Sequence, residues 1–186
     1  MKRRTRLQLG HAIGKRKQET CDKLMRKLCV RCKNPTKENK ATFYSDGNDQ
    51  YINSIEKYYD TETVNYGQLV KVKENGRLVR KEKRVVFGEP GWIDTVYIER
   101  HNLTLRAGLS RLVRKTLSVS KVEDMLDRQM DLYEAYTNLI RIHGGLTVRK
   151  EGERDIRRTP CMAEKVTDHR WSWEELLTFK SLPPVY

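Results

Sequence analysis

The chain has 186 residues, 37% hydrophobic and 34% charged, which suits one domain with a modest core, or one domain with an appendage. Its 38 Lys and Arg outnumber 25 Asp and Glu, and the formal charge of +13 favours a polyanionic partner, nucleic acid before any other. No stretch has the uninterrupted apolar length of a membrane span, and the basic start MKRRTRLQLGHAIGK lacks the apolar run of a signal peptide. A cytoplasmic location without a membrane partner is therefore expected.

In chain order, residues 5–13 alternate, with Leu7, Leu9 and Ile13 on one side, and predict a strand. Gly14-Lys15-Arg16 turns the chain into a helix over 18–32. Along it Cys21, Leu24, Met25, Leu28, Cys29 and Cys32 recur at helical spacing. Three cysteines are thus expected in the core, although Cys29-Val-Arg-Cys32 has the spacing of a zinc or redox pair. Cys161 stands alone, and Asn34-Pro35 ends the helix. Residues 41–45 form a β-prone run that stops at Asp46-Gly47. Asp46 is expected at the carboxyl end of a strand, where α/β sheets place reactive groups, with Gly47 in a tight turn. A short helix over 49–59 follows, capped by Asp49. Two further β-prone runs, 68–73 and 78–87, flank Glu74-Asn-Gly-Arg77, and Asn-Gly in that setting signals a hairpin. Its Lys and Arg fit either a solvated ribbon or a basic binding surface.

The central helical pattern covers 94–118. Ile98, Leu105, Leu109 and Leu112 fall on one side, and Glu99, Asn102, Arg106 and Ser110 on the other. An ordinary amphipathic helix has this pattern, and so has a helix that offers a carboxylate to a metal ion and its cations to a phosphate backbone. His101 lies beside the core side, suited to packing or to contact. Ser120-Lys-Val-Glu123 is a capping box for the next helix. Its stripe runs through Val122, Met125, Leu126, Tyr133, Tyr136, Leu139 and Ile140 to a stop at Gly144-Gly145, with His143 as a dipole-favoured cap. Residues 149–158 read as a loop. Ser172-Trp-Glu-Glu175 is a second capping box, and Pro183-Pro184 ends the ordered chain. Trp171 and Trp173 suit docking of the tail or stacking on bases.

Several segments in this order resemble the InsB-type insertion-sequence transposases, of the DDE (Asp-Asp-Glu) class with an RNase H-like fold. They are Thr5-Arg-Leu7 with Ile13-Gly-Lys-Arg16; Tyr44-Ser-Asp-Gly47 with Tyr51; Ile98-Glu-Arg-His-Asn-Leu-Thr-Leu-Arg106; and Arg111-Leu-Val-Arg-Lys-Thr116. Tyr136-Thr-Asn138, Arg141-Ile-His143, Arg158-Thr-Pro-Cys-Met-Ala163 and Thr167-Asp-His-Arg-Trp-Ser-Trp173 complete the set. The segment around Glu99 is the most specific of them.

The resemblance implies an α/β (mixed α+β) fold: an RNase H-like core missing its first strand over 1–145, a β-hairpin insertion at 68–87, and a helical carboxyl-terminal tail over 146–186. It implies that Asp46 and Glu99 are catalytic and hold Mg²⁺ or Mn²⁺, because hard divalent cations take carboxylate oxygens. Arg100, Asn102, Arg106, Arg111, Arg114 and Lys115 would contact DNA. The implied activity is metal-dependent strand cleavage and strand transfer in DNA transposition, on transposon ends and target DNA. The family's first Asp precedes the Thr-Arg-Leu segment, near Lys2 here, and no Asp occurs before Asp22. The expectation is a carboxyl-terminal portion, from a truncated gene or one frame of a split gene. It would be inactive without a homo-oligomeric partner or an upstream transposase segment. The alternative is a non-catalytic DNA-binding remnant that regulates intact transposase.

Overall fold

The computed structural model describes residues 1–113, 115, 117–149, 151–152 and 154–180. They fall into two compact units, His11–Glu123, and Met1–Gly10 with Asp124–Tyr186. Among the described residues no helix is long and apolar enough to cross a membrane.

The unit His11–Glu123 is mixed α/β. In order it contains α1 (Gln18–Arg31), β1 (Ala41–Asp46), α2 (Gln50–Tyr58), β2 (Val64–Glu74), β3 (Arg77–Phe87) and α3 (Val96–Gly108). The sheet order is β1-β2-β3, with β1 parallel to β2 and β2 antiparallel to β3. The α1 stripe folds in part as its spacing requires: Cys21 and Met25 are buried, and Leu28 packs on the core. Cys29 is only half-buried, and Cys32, at the C-cap past the helix end, is half-buried too, so one of the three cysteines expected in the core is there. Met25 and Ile55 from the two helices meet Val64 and Tyr66, which alternate onto one face of β2. Burying each such side chain contributes about 1.5–3 kcal/mol. A polar tie joins the same helices. The Asp22 carboxylate accepts from Lys57 Nζ at 2.6 Å, Ser54 Oγ at 2.7 Å and Gln18 Nε2 at 3.0 Å. The Lys57 hydrogen bond, then those of Gln18 and Ser54, hold its pKa down to about 2.

The other face of the sheet is closed at Gly67. A Cβ there would lie 2.6 Å from Ile93 Cγ1 and 3.3 Å from Pro90 Cγ, so a bare backbone lets the segment leading to α3 press against β2. Tyr44, the register partner of Gly67, donates its hydroxyl to the Pro90 carbonyl. The hairpin turns at Asn75-Gly76, both at positive φ (50° and 76°), as the Asn-Gly pair predicts.

In the second unit the expected strand over 5–13 does not form. Lys2 N donates to Leu7 O at 2.7 Å and Arg6 N to Lys2 O at 3.0 Å, with Arg6 at φ 61°, so the chain curls instead of extending. The apolar alternation finds no strand edge; the Asn138 amide supplies a substitute. Gln8 N donates to Asn138 Oδ1 at 3.0 Å and Asn138 Nδ2 to Gln8 O at 2.9 Å. The Ser120–Glu123 capping box does not open helix α4 (Glu123–Ala135): the helix begins only at Glu123, and Ser120 Oγ donates to Val122 O at 2.8 Å. The helix widens into a π-turn, Tyr136–Ile140, which presents Asn138. His143 does not end this helix. Its Nδ1 accepts from Gly145 N at 3.2 Å and caps a 3₁₀ turn, Gly144–Leu146, a role that needs an unprotonated nitrogen rather than a cation.

Thr159 caps α5 (Pro160–Ala163), where Cys161 is buried, and the expected Ser172–Glu175 capping box opens α6 (Trp173–Thr178). The tail docks through its aromatics. Trp173 stacks on Tyr136 at 5.1 Å and 4°, Trp171 lies 5.1 Å from Phe179, and Trp171 N donates to Leu139 O at 3.1 Å. Pro183-Pro184 lies outside the described residues.

Two outcomes are expected. Gly67→Ala should destabilise the protein by about 1–3 kcal/mol through overpacking against Ile93, read in denaturant unfolding; an unchanged midpoint would contradict the close approach. Because the Asp22 pKa is depressed in the fold, its contribution is present above about pH 4 and is lost as pH falls toward 2. Asp22→Asn should therefore flatten the decline of thermal stability over that window relative to wild type.

Candidate metal and DNA site

Asp46 ends β1 and is in register with Leu69 of β2. Its carboxylate is half exposed and accepts from Arg16 Nη2 at 3.3 Å. Beneath it Ser45 Oγ lies 2.6 Å from the hydroxyl of Tyr66, which accepts from Gln68 Nε2 at 3.0 Å. Tyr66 and Gln68 are fully buried, and burial pushes the Tyr66 phenol up. Gly47 serves by proximity: a Cβ there would be 3.2 Å from Val70 Cγ2, and its φ is not in the left-handed region. Asp49 is not the side-chain cap expected of it. Its Oδ1 accepts from Arg84 Nη1 at 3.4 Å, and Asn48 Oδ1 instead accepts from Gln50 N at 3.3 Å.

Glu99 lies in the first turn of α3. Lys71 Nζ and Thr95 Oγ1, the latter at 3.1 Å, both donate to its Oε1. The Lys71 hydrogen bond, joined by those of Thr95 and the charges of Lys71 and Lys81, holds the carboxyl below the usual glutamate range. Lys71 stands opposite Lys81 across the β2–β3 ladder, a like-charge pair that costs stability unless an anion intervenes. Glu99 is that anion.

The two carboxylates are thus attached to one strand. Asp46 lies beside Leu69, Glu99 is bound to Lys71, and Leu69 and Lys71 are consecutive positions on one face of β2. Both are oxygen donors with water access, each balanced by one flexible cation. This donor set suits a hard divalent ion. Arg16 and Lys71 as charge partners, and Thr95 as a hydrogen-bond donor, escaped the sequence reading, because cross-strand register and the approach of α3 are long-range facts.

Of the expected DNA contacts, Arg100, Asn102 and Lys115 are exposed, Arg106 and Arg111 half-buried, and Arg114 lies outside the described residues. The apolar row expected on this helix is corrected. Ile98 is 37% exposed, Leu105 and Leu112 are half-buried, and only Leu109 is buried. The helix stops at Gly108, so Leu109 reaches the interior from extended backbone (φ −124°, ψ 104°) and not from a helical face. Val96, Tyr97 and Leu103 are exposed as well.

The family model described as IS1 transposase matches residues 72–139. That span contains Glu99 and all six expected DNA-contact residues, but not Asp46. No curated protein and no solved structure matches the chain.

Lys71→Gln should move the Glu99 titration upward, toward the ordinary glutamate value, in carboxyl-detected NMR. A titration that does not move would show that Lys71 does not govern this carboxylate.

Proposed function

We propose that this protein is an insertion-sequence DNA transposase of the DDE class, with an RNase H-like catalytic unit in which Asp46 and Glu99 hold Mg²⁺ or Mn²⁺. One observation carries the reading: the carboxylate inside the matched family span is tethered to β2 two residues along from the register position of the carboxylate that ends β1. When bound, a divalent ion would polarise the scissile phosphate and activate the attacking oxygen.

The chain's own residues do the rest. Asp46 and Glu99 supply oxygen ligands from rigid elements, a strand end and the first turn of a helix. Lys71 holds Glu99 ionised beforehand, Arg16 pairs with Asp46, and both cations then release their carboxylates. Arg100, Asn102, Arg106, Arg111, Arg114 and Lys115 position the DNA backbone. In the reaction, water attacks a phosphorus at the transposon end and the freed 3′-hydroxyl leaves. That hydroxyl then attacks a target phosphodiester and displaces a second 3′-oxygen. A third carboxylate is expected by the resemblance near Lys2, whose ammonium is engaged by Glu164. We propose that a second transposase chain supplies it.

The test is strand transfer with Mg²⁺ on the ends of the protein's own element. Joined product is expected once the third carboxylate is supplied, and Asp46→Asn or Glu99→Gln should each lower it on the order of 10²–10³-fold, the scale for losing one group that stabilises transition-state charge. Product insensitive to both substitutions would refute the metal assignment. Duplex binding with no product in any combination would favour the non-catalytic regulator.

A further inference from the structure

The β2–β3 ribbon continues past the rest of the sheet. Pairing of β2 with β1 ends at Leu69, so beyond it β2 pairs only with β3 among the described residues. Residues 77–85 of β3 are all exposed. Between residues 70 and 84 there are seven Lys and Arg and two Glu, and no aromatic residue.

The register sorts these charges. Lys71, Lys81 and Lys83 share one face, with Lys71 opposite Lys81 and Lys83 opposite Leu69. Arg80 and Arg84 occupy the other, opposite Val72 and Gln68. A shift of register between Val72 and Lys73 then re-aims the distal end, where Lys73, Arg77 and the tight Asn75-Gly76 turn project. At its base the ribbon is anchored, by Lys71 on Glu99 and by Lys83 Nζ 3.6 Å over the Trp92 ring. Edge protection against aggregation would be served by charges of either sign. A seven-to-two excess of cations on both faces is not explained by it.

We propose that this ribbon, residues 70–84, is a duplex-DNA-binding arm whose distal cations Lys73, Arg77 and Arg80 contact backbone phosphates. The inference rests on the transposase reading for its partner and adds the element that grips it. A two-stranded ribbon fits the major groove of B-form DNA, whereas the deep, narrow groove of A-form RNA admits no such element. The absence of aromatic residues from 70–84 removes the stacking platforms that single strands require and the interfacial anchors that a membrane surface favours.

The experiment uses the full chain, a labelled duplex and no divalent metal, with fluorescence anisotropy recorded across a salt series. The triple variant Lys73→Gln/Arg77→Gln/Arg80→Gln is compared with Lys23→Gln/Lys33→Gln/Lys40→Gln, which removes as much charge from exposed positions elsewhere in the same unit. The ribbon variant should lose about three from the slope of log affinity against log salt, and on the order of a hundredfold in affinity at 0.1 M salt. The control should lose far less, and circular dichroism melts should show both variants folded. Equal losses in the two variants, unchanged binding by the ribbon variant, or wild-type preference for single strands or anionic vesicles would overturn the proposal. Because no cleavage is read, a chain that binds through the ribbon yet never joins strands would sink the catalytic reading and leave this one standing. A chain that joins strands with its ribbon neutralised would do the reverse.

Discussion

A charged tie joins the start of α3 to the sheet. Glu99 reaches β2 through Lys71, and Thr95, one turn earlier on the same helix start, braces the same oxygen. No residue of the helix is fully buried, and Leu105 is half-buried. Ile93, seated where Gly67 leaves room, and the Glu99 carboxylate fix its first turn against the strand.

Such a tie is informative because it is weak. Half-exposed ion pairs contribute only about 0–1 kcal/mol, so evolution of a stable scaffold gives little reason to prefer a carboxylate here over an apolar contact. Its local effect is to relieve the Lys71–Lys81 repulsion, and the same weakness makes it exchangeable. A divalent ion binding Glu99 and Asp46 would replace Lys71 and Arg16 as the charge partners. The freed cations would then lie beside a substrate that carries a negative charge at every phosphate. The carboxylates and the basic ribbon can thus be parts of one surface.

Local signals in the sequence were strong where one residue type has one use. The Asn75-Gly76 hairpin and the Ser172–Glu175 capping box formed as their spacings require, and the α1 stripe did so at Cys21 and Met25. Asp46 at the end of a strand was legible for the same reason. The misreadings share a different cause. The alternation of 5–13 encodes a buried side but not a partner, and the Asn138 amide took the place of a strand edge. His143 and Asp49 have the composition of caps, yet helix ends fell two residues earlier in one case, and Arg84 claimed the side chain in the other. The row Ile98, Leu105, Leu109 was periodic without being buried, because periodicity reports a face and not what covers it. Lys71 as the partner of Glu99 depends on a register set by a hairpin and a glycine far from either residue.

Asp46 and Glu99 are proposed to serve one divalent ion. Paramagnetic relaxation by substoichiometric Mn²⁺, read on the assigned amide and carboxyl resonances of the full chain, measures this directly. Signals of both residues should broaden together at the same Mn²⁺ concentration, and Asp46→Asn or Glu99→Gln should abolish the broadening at both positions. Broadening at one residue alone, or at each independently of the other's substitution, would mean that the two carboxylates do not share an ion.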